Sequence, residues 1–218
     1  MAKKTDLRGA DAEVLQILAL QSGDPQRVRR VVNGAALTPA VIPHLIPLLG
    51  VEKTATDAMH ALRAVASHRP GALIDALLDV RHPVVMRRRL AKVMSVCRTA
   101  AVADALLQAC EDDHVSVRVQ AARTLFVIRR RCPELSIDQN RVIQLIQREV
   151  SAGIPHVGLV FTLLAVILSP GPIRAAYRSL RLGSAHARGT AMEYLESVLP
   201  AEIRKHLDEI LTRMSPPR

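Results

Sequence analysis

The residues of this sequence best suited to chemistry are cations that recur along predicted helices. The guanidinium of arginine is permanently charged and planar, so it binds carboxylates and phosphates through paired hydrogen bonds. We predict that a basic binding face includes Arg87, Arg88, Lys92, Arg123 and Arg130. Because adjacent residues in a helix point in different directions, only part of each basic cluster can face one ligand.

Patterns typical of catalysis or metal binding are absent from the sequence. The eight histidines include no His-x-x-x-His pair, and the three cysteines include no Cys-x-x-Cys pair. The acidic run Glu111-Asp112-Asp113 precedes a predicted helix, where carboxylates favour the helix N-terminus. Neither a nucleophile elbow nor a phosphate-binding glycine loop is found. We therefore predict no catalytic residue, no metal ligand and no cofactor, and we interpret the chain as a non-enzyme.

The cysteines also bear on the compartment. Cys97, Cys110 and Cys132 are odd in number and have no motif context, which is typical of buried thiols in a reducing environment. On this basis we predict a cytoplasmic protein.

Composition predicts an all-α core and an anionic partner. Hydrophobic residues make up 49% of the 218 residues but aromatic residues only 2%, so Ala, Leu and Val must fill the interior. Such small and aliphatic side chains suit closely stacked helices. The net charge of +10, from 30 Lys and Arg against 20 Asp and Glu, favours acidic proteins, nucleic acid or anionic lipid headgroups as partners.

One apolar segment is long enough to raise the question of a membrane span. From residue 150 to residue 173 the only ionisable side chain is that of His156. Glycines and prolines interrupt this segment, and the backbone groups freed at the breaks could not be satisfied in lipid. We therefore predict that the chain does not span a membrane.

Helix start and stop signals divide the chain into about six antiparallel helix pairs and a closing helix. The predicted pairs are 11–21 with 24–32, 38–49 with 53–67, 72–80 with 83–96, 100–110 with 115–131, 137–151 with 155–168, and 172–182 with 185–199. We predict a single domain over residues 1–218, with residues 1–10 disordered and residues 201–218 forming a closing helix and tail.

A short motif recurs in the second helices of these pairs. One copy contains Val117, Arg118, Ala121 and Leu125, and another contains Arg188, Ala191 and Leu195. The apolar members lie four residues apart and share one helix face, where small alanines let neighbouring helices approach closely. We interpret the arginine mainly as a brace whose head reaches an acidic turn of the next pair. His82 and His114 occupy equivalent positions before two such helices, and we predict that both act as helix caps.

This motif resembles the second helix of HEAT repeats, which typically reads Asp-Pro-x-Val-Arg-x-x-Ala-Ala. Three further segments, 118–135, 160–168 and above all 188–200, resemble a bacterial HEAT domain found downstream of membrane carriers similar to ATP:ADP antiporters or major-facilitator transporters. The chain departs from the HEAT pattern where His82, His114 and Ser184 replace the aspartate. The resemblance implies an α-solenoid, a superhelix of stacked helix pairs, whose second helices line the concave side.

Three functions remain open. The first is a non-catalytic protein-interaction or scaffold module, in one version a soluble regulatory domain of a membrane carrier, whose basic concave face binds an acidic partner. The second is non-specific nucleic-acid binding through the same basic groove. The third is a lyase or glycosylase of the HEAT-like type, which would need a carboxylate or an aromatic side chain in the groove.

Overall fold

The structure is a computed structural model that describes residues 3–34, 37–152, 156–206 and 210–211. Over these ranges it contains thirteen α-helices and no β-strand, so the chain is all-α as predicted. The contacts divide the chain into two compact units, residues 1–105 and residues 106–218. The single domain of the sequence analysis therefore stays a prediction.

The first unit contains six helices and the start of a seventh. They are α1 (Lys3–Gln21), α2 (Pro25–Gly34), α3 (Ile42–Leu45), α4 (Glu52–Val65), α5 (Pro70–Leu78), α6 (Val84–Val93) and α7 (Ala100–Ala109), which contains the boundary between the units. Helix α1 begins at Lys3, so it includes most of the segment predicted to be disordered. Residues 1 and 2 lie outside the described part of the chain.

The predicted helix over residues 38–49 is replaced by three short pieces. A 3-10 turn over Pro39–Val41, helix α3 and a second 3-10 turn over Pro47–Gly50 follow one another. Proline lacks the N–H that a continuous α-helix requires, and its ring clashes with the preceding turn. Prolines at positions 39, 43 and 47 therefore prevent one long helix, although their four-residue spacing resembles a helical stripe.

Within the first unit, the second helices of successive pairs pack against one another. Helix α4 contacts both α2 and α6. Val28, Leu62 and Leu90 are fully buried on these three helices, and Ala58 lets the backbones approach closely. An ion pair between Arg89 and Glu52 links α6 to the start of α4, and the Arg89 guanidinium also donates to the carbonyl of Leu49 at 2.8 Å. The hydrogen bond from Arg89 holds the pKa of Glu52 below its usual range.

The second unit contains the remaining six helices. They are α8 (Val115–Arg131), α9 (Gln139–Ser151), α10 (Val157–Ile167), α11 (Pro170–Leu182), α12 (Ala185–Val198) and α13 (Ala201–Arg204). Helix α10 is the apolar centre of the unit, because it buries most of its residues and contacts α8, α9 and α11. Helix α13 packs against α9.

Two outcomes concern predictions made for the second unit. Among the described residues, no helix is both long and apolar enough to cross a membrane. The predicted closing helix and tail over residues 201–218 begin as α13, and Ile210 and Leu211 are again helical. Residues 207–209 and 212–218 lie outside the described residues.

Candidate anion-binding groove

A groove of about 400 Å³ opens on the second unit, where α8, α10 and α11 each contribute one helix face. Helix α10 forms its floor, and α8 and α11 form its two walls. On each helix the lining residues recur every three or four positions, the spacing of side chains on one side of an α-helix. The three faces meet because α10 packs against both α8 and α11.

The floor of the groove is low because α10 presents mostly small residues there. Gly158, Thr162 and Ala165 line it together with Phe161. The Thr162 hydroxyl donates to the carbonyl of Gly158 at 2.6 Å, so its proton is already used within the helix. A Cβ at position 158 would lie 3.4 Å from the Tyr177 hydroxyl oxygen. A side chain at position 158 would therefore touch the phenol of Tyr177 on α11.

Helix α11 forms a cationic wall. Arg174, Tyr177, Arg178 and Arg181 line the groove at positions i, i+3, i+4 and i+7, and the three arginines are exposed. Another side of α11 buries Ile173, Ala176 and Leu180. Since burial of this apolar side orients the helix, the cationic side is turned toward the groove.

Helix α8 supplies the facing wall with Arg123 and Phe126. Arg123 is exposed, whereas its neighbours Ala122 and Thr124 are buried. Two guanidiniums in this region lie over aromatic rings, that of Arg130 at 5.8 Å from the Phe126 centroid and that of Arg181 at 5.7 Å from the Tyr177 centroid. Such cation–π contacts stabilise by about 0.5–1 kcal/mol at exposed sites and hold the guanidinium in place.

The aromatic rings of the groove are already in contact with one another or with guanidiniums. Phe161 is 4% exposed, and its ring centroid lies 4.8 Å from that of Tyr177 at a tilt of 34°. Tyr177 and Phe126 each carry a guanidinium on one face. The rings therefore support arginines and pack with one another, and they offer little free area for stacking.

The described side chains that line the groove carry positive charge and no negative charge. No carboxylate is among its described lining residues, and in the described part of the chain Arg123, Arg174, Arg178 and Arg181 form no ion pair. Like charges three and four residues apart destabilise a helix by about 0.2–0.5 kcal/mol per pair. An anionic ligand would remove this repulsion, so the arrangement suits the binding of an anion.

The predicted basic residues do not all belong to this groove. Arg123 lines it and Arg130 lies beside it on Phe126, whereas Arg88 and Lys92 are exposed on α6 of the first unit. Arg87 lies outside this groove: it is 3% exposed, and its Nε donates to the carbonyl of His82 at 3.2 Å within its own unit.

Sequence reasoning missed the largest part of the cationic wall. Arg174, Arg178 and Arg181 were not among the predicted residues, and neither was Tyr177. The signal is present in the sequence, because these four positions follow a helical period in a segment without any acidic residue. A helix with three arginines on one side and no acidic residue lacks internal charge compensation.

The recurrent motif lies in the packed interior. Val117, Ala121 and Leu125 are fully buried, and Ala191 and Leu195 of the second copy are also buried. Four hydrogen bonds hold the first arginine. The Arg118 guanidinium donates to Glu149 Oε2 at 3.1 Å and Oε1 at 3.3 Å, and to the carbonyls of Asp112 and Asp113 at 3.0 Å each. Arg118 thus links the turn before α8 to α9. Its acidic partner is Glu149, within a helix, whereas the sequence analysis expected an acidic turn.

The histidine caps predicted from the repeat are not formed. His114 precedes α8 but its side chain makes no capping bond, and the residue at the start of α6 is Pro83 instead of His82. Pro83 occupies the N-cap position of α6, and the backbone carbonyl of His82 accepts a hydrogen bond from Arg87 Nε. Ser184 does cap α12, since its hydroxyl accepts from the Ala187 N–H at 3.3 Å. His156 caps α10 in the same way through Nδ1.

The described cysteines are buried thiols. Burial raises the pKa of Cys110 to about 12 and also raises the pKa of Cys97. A thiol with a raised pKa is a poor nucleophile at neutral pH, because the thiolate is the reactive form. Among the described residues, no group of three or more His, Cys, Asp and Glu side chains is arranged to hold a metal ion.

No protein-family model matches the chain, and no curated protein matches it. The likeness to HEAT repeats therefore rests on the residues of the recurrent motif and the three segments named above. The groove of α8, α10 and α11 is the candidate site that the structure itself provides.

Proposed function

We propose that the chain is a non-catalytic interaction module that binds an acidic protein partner through the arginine groove of its second unit. One observation carries this proposal: four arginines line a single groove, and none has a carboxylate partner among the described residues. By contrast, Arg118, which serves the fold, has Glu149 as its carboxylate partner. Exposed guanidiniums held in a groove are suited to paired hydrogen bonds with carboxylates.

The architecture proposed for this module is a HEAT-like α-solenoid. Support comes from the contacts of the second helices, since α4 packs on α2 and α6, and α10 packs on α8. The buried Val117, Ala121 and Leu125 occupy the helix face that such stacking requires. A cytoplasmic location and an association with a membrane carrier follow from the resemblance and the cysteine usage, and they stay predictions.

Nucleic-acid binding is the second candidate, because a row of arginines also suits phosphates. The state of the aromatic rings favours a protein partner over single-stranded nucleic acid. Base stacking needs an open ring face, whereas Phe161 is buried and Tyr177 and Phe126 carry guanidiniums. We therefore place the acidic protein first.

The proposal is tested by fluorescence anisotropy with a labelled random-sequence peptide of Glu and Ser, and with duplex and single-stranded DNA of equal charge. We expect the peptide to bind at about 0.15 M salt and the variant Arg174→Gln/Arg178→Gln to bind about tenfold more weakly, because two charge-assisted contacts are lost. The matched control is Arg88→Gln/Lys92→Gln, which removes the same charge from α6 and should weaken binding less than about twofold.

Two outcomes would contradict this function. Absence of peptide binding by the unmodified chain would exclude the acidic partner. Tighter binding of DNA than of the peptide, with the same loss in the groove variant, would favour the nucleic-acid alternative. Circular dichroism of both variants shows whether their helix content is retained.

A further inference from the structure

We propose that the partner segment bound in this groove is an amphipathic α-helix. On one face it carries three carboxylates, at positions i, i+4 and i+7. The inference rests on the proposed function and adds the conformation and the charge spacing of the partner. It is argued from the position of the arginines along α11 and from the lining of the groove floor.

The cations of α11 form a row along the helix axis. Arg174 and Arg178 are separated by about 6 Å along the axis and Arg178 and Arg181 by about 4.5 Å, from the helical rise of 1.5 Å per residue. A partner helix has the same rise, so carboxylates four and three residues apart on its surface repeat both distances. A partner helix parallel to α11 matches both distances with carboxylates at i, i+4 and i+7, whereas an antiparallel partner would need them at i, i+3 and i+7.

Other acidic ligands fit this row less well. Side chains on one side of an extended chain recur every second residue, at about 6.6 Å, which does not reproduce the shorter interval. A single compact anion cannot lie beside both ends of a row about 10.5 Å long, measured between the first and last residue along the axis. The row therefore favours an elongated ligand with helical spacing.

The floor of the groove explains why the partner helix should also be apolar. Gly158 and Ala165 offer no hydrogen-bond donor from their side chains, and the Thr162 proton is already given to the Gly158 carbonyl. A cavity of about 400 Å³ accommodates the side chains of one helix face, whereas the helix itself stays outside. Apolar side chains between the carboxylates would fill this floor, the helix-in-groove mode of recognition.

The experiment compares two synthetic peptides of identical composition. In the first, Glu residues at i, i+4 and i+7 and a Leu at i+3 share one helix face, and in the second the same residues are distributed around the helix. Both are labelled with fluorescein, have equal helix content by circular dichroism, and are titrated with the full chain at about 0.15 M salt. We expect the first to bind about tenfold tighter, and this preference to disappear in Arg174→Gln/Arg178→Gln but not in Arg88→Gln/Lys92→Gln.

A third peptide carries the first sequence with a central proline, which prevents a continuous helix. Equal binding of the two isomers, or undiminished binding of the proline peptide, would overturn the helical partner. In that case binding of the random Glu and Ser peptide would still support the proposed function. If none of the acidic peptides binds, the proposed function fails together with the inference.

Discussion

The role of each arginine in this protein depends on whether another residue of the chain provides a carboxylate to pair with it. Arg118 finds Glu149 thirty-one positions away and two carbonyls in the preceding turn, so its guanidinium is used within the fold. Arg178 has no such partner among the described residues and stays exposed in the groove. The residue type is the same, and the tertiary neighbour separates the structural side chain from the candidate binding side chain.

The ion pair between Arg118 and Glu149 should contribute strongly to the stability of the fold. Replacing Arg118 by Met leaves the Glu149 carboxylate buried, and among the described residues its remaining donor is the His156 N–H at 3.1 Å. We expect a loss of about 3 kcal/mol in the free energy of unfolding, because breaking a buried ion pair leaves an uncompensated charge. Denaturant unfolding followed by circular dichroism measures it.

The repeat provides a control for this prediction. Arg188 is the equivalent residue of α12, and its side chain forms no ion pair or hydrogen bond with any described residue. Arg188→Met should therefore cost less than about 1 kcal/mol. The double variant Arg118→Met/Glu149→Leu should lose less than the sum of the two single changes, and strict additivity would contradict the coupling.

At the scale of elements, α11 is the helix whose position decides the site. Its apolar side packs in the second unit while Arg174, Tyr177, Arg178 and Arg181 face the groove. The helix ends at Gly183, whose N–H donates to the Ser179 carbonyl at 2.8 Å. A Cβ at position 183 would lie 2.4 Å from the same Ser179 oxygen, so only glycine permits this close end to the helix.

Two glycine substitutions should therefore have opposite effects. Gly183→Ala is expected to lower the free energy of unfolding by about 1–3 kcal/mol, because the backbone must shift to relieve the contact. Gly189→Ala, within α12 and with no atom within 4 Å of the new Cβ, should raise it by about 0.5–1 kcal/mol. Thermal or denaturant unfolding of the two variants provides the comparison, and a neutral Gly183→Ala would show that the turn before α12 is not constrained in this way.

For the whole molecule, the excess of cations acts at a distance. With a net charge of +10, the chain attracts an acidic partner before contact is made. This attraction is distinct from the short-range pairing in the groove, since it depends on the total charge and on the ionic strength. A change of charge on α6 should therefore slow association slightly and leave the contacts in the groove unchanged.

We expect the association rate constant for the acidic helical peptide to fall at least about tenfold as salt rises from about 0.01 M to 0.15 M, because the Debye length contracts from about 30 Å to about 8 Å. The dissociation rate should change less, since the contacts in the groove are short. Stopped-flow fluorescence measures both rates. An association rate that does not depend on salt would contradict electrostatic steering.

Local features of the sequence were sufficient to predict the helical class and much of the motif's burial. Helical spacing of apolar residues identified α8 and placed Val117, Ala121 and Leu125 on one face, because periodicity is a property of neighbouring residues. The same reasoning failed over residues 38–49, where Pro43 and Pro47 interrupt the backbone hydrogen bonds.

The sequence by itself thus determined most of the helices, the excess of positive charge and the apolar faces that must be buried. Only the tertiary structure decided which cations remain available. Arg87 is buried in its own unit, whereas the groove joins Arg123 to Arg178, fifty-five positions apart in the chain. The physical reason is that a helical period shows which residues share a face, while the packing of one helix on another decides what that face meets.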